Sequence, residues 1–301
     1  MTSDHGRDKR RGYRILAGVI AAAGCLLALL LIPQTGLIAA LSMGGADHTD
    51  ASPSATTNPY CRSQPERDLP PLDVSDMRLW NFDAAWHASQ WQNNFSFTPW
   101  RSDHVTVEPN GDVALRLDRS GAPQLKSGNR IPMADKGTWE VEVTLPAMRE
   151  GMVVAPLWLY NEERQEEIDF EFAGTKSLDL SLHGYPDGEH RQTAVSVFEG
   201  MDLSNCTAHF KIVADASAGW AALYVEDHLV HRFTEEEAGY FVTGKLRPII
   251  EMWAARDDHR GFVQWLGQWQ PLPNGEVLTM VVHGYRFSPN IDGHQAEASG
   301  L

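Results

Sequence analysis

Beyond Leu72 the chain is dominated by short runs in which apolar and polar residues alternate one for one. From Thr138 to Leu145, Trp139, Val141, Val143 and Leu145 share one face while Glu140, Glu142 and Thr144 share the other. From Ser177 to His183, Leu178, Leu180 and Leu182 oppose Asp179, Ser181 and His183. A period of two is the mark of a strand buried on one side. Runs of the same kind predict strands over 112–117, 152–160, 167–172, 208–214, 220–225, 248–253 and 278–287. Asn110-Gly111, Pro186-Asp187-Gly188 and Asn274-Gly275 supply turns between them. Helical periodicity is scarce and there is no tandem repeat, so the pattern predicts an all-β domain of two antiparallel sheets packed face to face. With 301 residues, 43% of them hydrophobic, no second domain is needed.

The N-terminal part is different. Residues 1–14 carry five Lys/Arg against two Asp/Glu and read as a basic cytoplasmic tail. Residues 15–32 are uncharged and almost wholly apolar, the length of a membrane span. The segment 15–42 is therefore expected to be either a single retained transmembrane helix or a cleaved signal. Either way the rest is exported, to the periplasm or the cell exterior. Residues 43–70, rich in Ser, Thr, Ala, Pro and Asp, read as a linker holding the body off the membrane. The β domain is expected over 71–290, and 291–301 as a tail.

Charge and cysteines narrow the classes. The chain carries −15 overall, and beyond residue 14 there are 20 basic against 38 acidic residues. Such a body repels nucleic acid and anionic lipid. Cys61 and Cys206 lie in the exported part, where either a disulfide or two free thiols is compatible with the sequence. The 12 histidines show no metal-ligand spacing, and no phosphate-binding glycine loop or nucleophile elbow is present. No metal or cofactor is expected.

The candidate chemistry lies in Glu166-Glu167-Ile168-Asp169-Phe170-Glu171-Phe172. Alternation puts Glu167, Asp169 and Glu171 on one face and the three apolar side chains on the other. Like charges this close disfavour simultaneous ionisation, so at least one should titrate high. Cleavage of a glycosidic bond needs that split, one carboxylate ionised and one protonated. A solvated strand face is the alternative, opposed by the lack of interleaved Lys or Arg.

Around this strand, roughly from Leu79 to Phe287, the chain resembles glycoside hydrolase family 16. The resemblance rests on Gly128-Asn129-Arg130, Gly137-Thr138-Trp139-Glu140-Val141-Glu142-Val143, Leu157-Trp158-Leu159-Tyr160 and the Glu-x-Asp-x-Glu acids. Downstream it includes His209-Phe210-Lys211-Ile212, Trp220 to His228, Met252-Trp253-Ala254-Ala255 and Gln264-Trp265-Leu266-Gly267. The uninterrupted acid motif is similar to the lichenase, xyloglucan-transferase and bacterial exopolysaccharide-depolymerase branches.

The resemblance implies a jelly-roll sandwich of concanavalin A-like shape, with Glu167 as nucleophile, Glu171 as acid/base and Asp169 tuning the pair. It further implies Arg130, Trp158, Ser181, His183, Glu251, Trp253 and Trp265 as sugar-binding residues. Several positions depart from the family. Gln165 stands where lichenases often have Trp, Gly128 where an acid is common, and His283 where many relatives place an aspartate that helps hold calcium, which makes a structural calcium doubtful.

The function expected is a retaining endo-acting hydrolase that uses no cofactor and acts as a monomer on a β-glucan or glucose-containing exopolysaccharide. A transglycosylase using the same acids is an alternative. A non-catalytic carbohydrate-binding module or a scaffold on the same sandwich is another.

Overall fold

A computed structural model describes residues 58–66, 68–77 and 82–291. The expected basic tail and anchor lie outside these residues, as does the linker up to residue 57. Among the described residues no helix is long and apolar enough to cross a membrane.

Fourteen strands form the body: β1 Trp86–Ala88, β2 Val105–Val107, β3 Val113–Leu117, β4 Gln124–Ser127, β5 Lys136–Thr144, β6 Met152–Asn161 and β7 Glu166–Ala173 come first. There follow β8 Leu178–Gly184, β9 Arg191–Val197, β10 Thr207–Asp215, β11 Trp220–Val225, β12 His228–Thr234, β13 Arg247–Ala254 and β14 Leu278–Ser288. Two short helices, α1 Glu235–Ala238 and α2 Arg260–Leu266, complete it. One seven-stranded sheet has the order β1-β4-β13-β6-β7-β8-β9, the other β12-β11-β10-β5-β14-β3-β2, and every ladder is antiparallel.

The core lies between the sheets. Phe170 and Phe172 of β7 meet Phe210 of β10 edge to face, at 5.3 and 6.0 Å between centroids, a favoured aromatic geometry. With Ile168, Phe170 and Phe172 turned inward, the period of two forces Glu167, Asp169 and Glu171 onto the sheet's outer face.

β6, the neighbour of β7, contains Pro156, which cannot donate to a ladder. The register shifts there, between Val154 and Leu157 against β7 and opposite the Ile249–Glu251 stretch of β13. The extra residue turns Leu157 inward opposite Phe170 and brings Trp158 outward opposite Asp169.

The hairpin joining β11 to β12 turns on Glu226 and Asp227, both with positive φ (51° and 64°), as a tight two-residue hairpin loop requires.

The stretch expected as linker is laid on the second sheet from Asn58 on. Cys61 is disulfide-bonded to Cys206 across 145 residues, with Cα atoms 5.1 Å apart. Arg62 pairs backbone to backbone with Thr207. Its guanidinium bonds Glu142 at 2.6 Å and Glu226 at 2.9 and 3.0 Å. Further on, Tyr285 donates its backbone N–H to the Pro70 carbonyl. Composition suggested a free tether, but a covalent bond and a partly buried ion cluster hold this segment.

Candidate active site

Three rows of side chains cross the outer face of the first sheet, each fixed by strand register. The first runs Arg247, Tyr160, Glu167, His183, Gln192 from β13 to β9. The second runs His87, Lys126, Ile249, Trp158, Asp169, Ser181 from β1 to β8. In the third, Gln124 stands opposite Glu251 on the near side, and Glu171 stands opposite Asp179, which faces Ser196. Glu167, Asp169, Glu171, Trp158, Ser181, His183 and Glu251 are thus gathered on one surface.

Asp169 is almost fully buried, and its Oδ2 lies 3.3 Å from Nε2 of His183. The other ring nitrogen of His183 is 3.0 Å from Nε2 of His190, and the two rings stack. Glu167, Asp169 and His183 each bring an atom within 4.8 Å of the others, the spacing of a metal-binding triad. Glu167 and Glu171 keep part of their surface open, so a substrate can reach them.

Crowding sets the protonation. Burial raises the Glu167 carboxyl to about 8; His183 opposes the shift, while Asp169 and Glu251 add to it. Asp169 is pushed well above the carboxylate range by burial and by Glu251. Glu171 is pushed up by burial and then by Asp169, Glu167, Glu251 and Asp179, with nothing opposing. Burial lifts Glu251 to about 7 against the hydrogen bond from Gln124, the charge of Lys126 and Trp158. Glu167 and Glu251 therefore hold protons into the neutral range, Asp169 and Glu171 are pushed in the same direction, and Glu167 has a histidine to favour its ionised form.

Trp253, Trp265 and Arg130 are placed differently from these seven. Trp253 shares the outer face but is sealed in, with its ring 4.9 Å from Phe95 and 5.5 Å from Phe262. Trp265 sits on α2 and donates its indole N–H to Asp179 Oδ2 at 2.6 Å. Arg130 is exposed and paired with Asp76 at 2.9 Å and Asp73 at 3.4 Å.

The departures from the family are accounted for locally. A side chain at Gly128 would put its Cβ 2.2 Å from the Ala84 carbonyl oxygen. Gln165 takes a positive φ (56°) in the β6–β7 hairpin. His283 is held by Asp112 at 2.9 Å and Thr144 at 2.7 Å, an arrangement short of the oxygen ligands calcium takes.

Sequence reasoning passed over Tyr160, Asp179, Gln124, Lys126, Arg247, Tyr185 and His190. For Tyr160 and Asp179 the signal existed, since each lies two residues from a named site residue on the same strand. His190 stacks on His183 and packs against Tyr185 from the loop after β8, and no periodicity reports such a contact.

Residues 85–269 match the sequence profile of Glycosyl hydrolases family 16. No curated protein matches the sequence. Among solved structures, the fold is similar to a Bacillus licheniformis β-glucanase at TM-score 0.53 and 18% identity, covering 68% of this chain and 92% of that one. It is similar to a prokaryotic β-1,3-1,4-glucanase (lichenase) from a mouse hindgut metagenome at TM-score 0.53 and 16% identity, covering 68% and 93%. A Bacteroides ovatus mixed-linkage-glucan enzyme of the same family, solved with an oligosaccharide product, gives TM-score 0.54 and 17% identity, covering 68% and 94%.

Proposed function

The chain belongs to glycoside hydrolase family 16, and from that membership we propose that it cleaves a β-glucan or a glucose-containing exopolysaccharide internally and with retention, through Glu167, Asp169 and Glu171. That it is a glycoside hydrolase follows from the family. The observation that carries the finer reading is the asymmetry along β7: His183 opposes the rise of Glu167, whereas every neighbour acting on Glu171 raises it. Glu167 is then the group that ionises and attacks, and Glu171 the one that keeps its proton and donates it.

In the first step Glu171 protonates the glycosidic oxygen as a Glu167 oxygen bonds to the anomeric carbon and the leaving sugar departs. In the second, Glu171 takes a proton from water, whose oxygen displaces Glu167 from that carbon. Asp169, buried between the two, shares protons with them and keeps both from ionising at once. Internal cleavage is supported by the place of β7, with β6, β13, β4 and β1 on one side and β8 and β9 on the other. A polymer can extend over the sheet both ways. No metal is needed for these steps.

β-Glucan is the reading best supported because the solved relatives named above include a β-glucanase and a lichenase. Export fits the Cys61–Cys206 disulfide, which persists in an oxidising compartment. The test is reducing-end release by the full-length chain from mixed-linkage β-glucan, β-1,3-glucan, xyloglucan and succinoglycan-like polymers. Glu167→Gln and Glu171→Gln should each cost about 10² to 10⁴ in rate, and nuclear magnetic resonance of the first product should show the β anomer. An α anomer would refute retention.

A further inference from the structure

The acid surface has a cationic counterpart that the hydrolytic steps do not use. Arg247 stands two strands from Glu167 in the first row and Lys126 three strands from Asp169 in the second. Those separations are about 10 and 14 Å, the reach of about two to three sugar rings. His87 lies opposite Lys126 on the edge strand.

Of the three, Arg247 and His87 are poorly answered. Arg247 donates to the Ser127 carbonyl at 3.0 Å and to the Met133 sulfur at 3.1 Å, while its Nε is buried without a partner. No ion pair of Arg247 exists among the described residues, and burial alone acts on its guanidinium. Lys126 lies 5.8 Å over the Tyr160 ring, and burial and Arg247 draw its ammonium down to about 8 against the opposing charge of Glu251. His87 is buried with neither ring nitrogen bonded, and is held neutral by burial, Lys126 and Arg247. Two adjacent cations on a chain of charge −15 are costly unless an anion meets them.

Glu162 shows what such an anion would be. It is about half exposed on the β6–β7 hairpin, and its carboxylate contacts Lys126 Nζ. Glu251 acts on Lys126 only at a distance, since its carboxylate is bonded to Gln124 and rises to about 7.

We propose that Arg247 and Lys126 form a subsite for a carboxylate carried by the polysaccharide two to three sugars from the scissile bond, so that the natural substrate is an acidic glucan. The proposal rests on the hydrolase reading above. The planar fork of Arg247 suits two carboxylate oxygens and Lys126 adds a point charge; the substrate's carboxylate displaces that of Glu162.

The test compares an acidic β-glucan exopolysaccharide with the same polymer after reduction of its carboxyls to alcohols, using the full-length chain. Wild type should show kcat/KM about tenfold or more higher on the acidic form, the scale of one charge-assisted contact. Added salt should shrink this ratio. In Lys126→Met and Arg247→Gln the ratio should fall toward one, and Arg247→Lys should retain part of it. Equal turnover of both polymers by wild type, or an unchanged ratio in Lys126→Met and Arg247→Gln, would overturn the subsite. If neither polymer is cleaved, calorimetry separates the two ideas. Tighter binding of the acidic form that Lys126→Met abolishes keeps the subsite and refutes hydrolysis of these polymers, whereas equal or absent binding overturns the subsite.

Discussion

The indole N–H of Trp265 donates to Asp179 at 2.6 Å, and Asp179 stands directly across the ladder from Glu171. Ser177 and Ser196 both donate to the other oxygen of Asp179. Helix α2 is thereby latched to β8 beside Glu171, the proton donor of the proposed mechanism, where the charge of Asp179 adds to the upward shift of the Glu171 carboxyl. Trp265→Phe keeps an aromatic ring and removes the latch. We expect kcat to fall about tenfold, from loss of a hydrogen bond to a charged group, with KM little changed. A sugar-stacking role would instead raise KM and spare kcat, and steady-state kinetics distinguish the two.

All nine strands expected from alternation exist within two residues of their predicted ends, among them β5, read as 138–145 and found as Lys136–Thr144. Five strands escaped. Four of these, β1, β2, β9 and β12, are the outer edges of the two sheets. An edge strand such as β9 is exposed along much of its length, with only Thr193, Val195 and Val197 half-buried, so its period is faint in the sequence. The fifth, β4, has only four residues. The acids were legible because they share one strand with a fully apolar back. Lys126 and Arg247 were not, because their nearness to the acids depends on pairings across β4, β13 and β6 and on the bulge at Pro156, which alternation within one strand does not encode.

The protonated acids make stability depend on pH in an unusual direction. Glu251 titrates near 7 in the folded chain against about 4.5 when exposed, and Glu167 near 8. Between pH 4.5 and those values the folded state binds protons that the unfolded state has released, so stability falls as pH rises through this window. Glu251→Gln removes one such group. Urea denaturation at pH 5 and pH 8 should show wild type losing stability at the higher pH, and the variant losing less by on the order of 2 kcal/mol. Equal losses would mean Glu251 is ionised in the folded protein.

Cys61 and Cys206 close a loop of 145 residues that ties the first described segment to β10. Opening it by Cys61→Ser should cost about 2–5 kcal/mol. The acids lie on the other sheet, so turnover at 25 °C should persist while the thermal midpoint drops by several degrees. Arg62→Met should cost at least as much. It removes the cation from Glu142, which is 1% exposed, and from Glu226, and breaking a buried pair from one side costs about 3–5 kcal/mol. Differential scanning calorimetry with and without reductant measures the first effect directly.

The family resemblance leads to an acid being expected at Gly128, and the backbone explains why none fits there. Its N–H donates to the Ala85 carbonyl at 2.7 Å. A Cβ would lie 2.2 Å from the oxygen of Ala84 and 2.9 Å from that of Phe82. Both are main-chain atoms leading into β1, so they yield only if that strand moves off β4. Gly128→Ala should therefore destabilise the domain by about 1–3 kcal/mol, the range for forced overpacking. Gly128→Asp should cost more, because it adds a charge close to two carbonyl oxygens. Since β1 carries His87, opposite Lys126, displacement of this edge should also blunt any preference for acidic over carboxyl-reduced glucan. Denaturation of Gly128→Ala checks the packing, and its ratio of kcat/KM on the two polymers checks whether β1 holds the cationic side of the site in place.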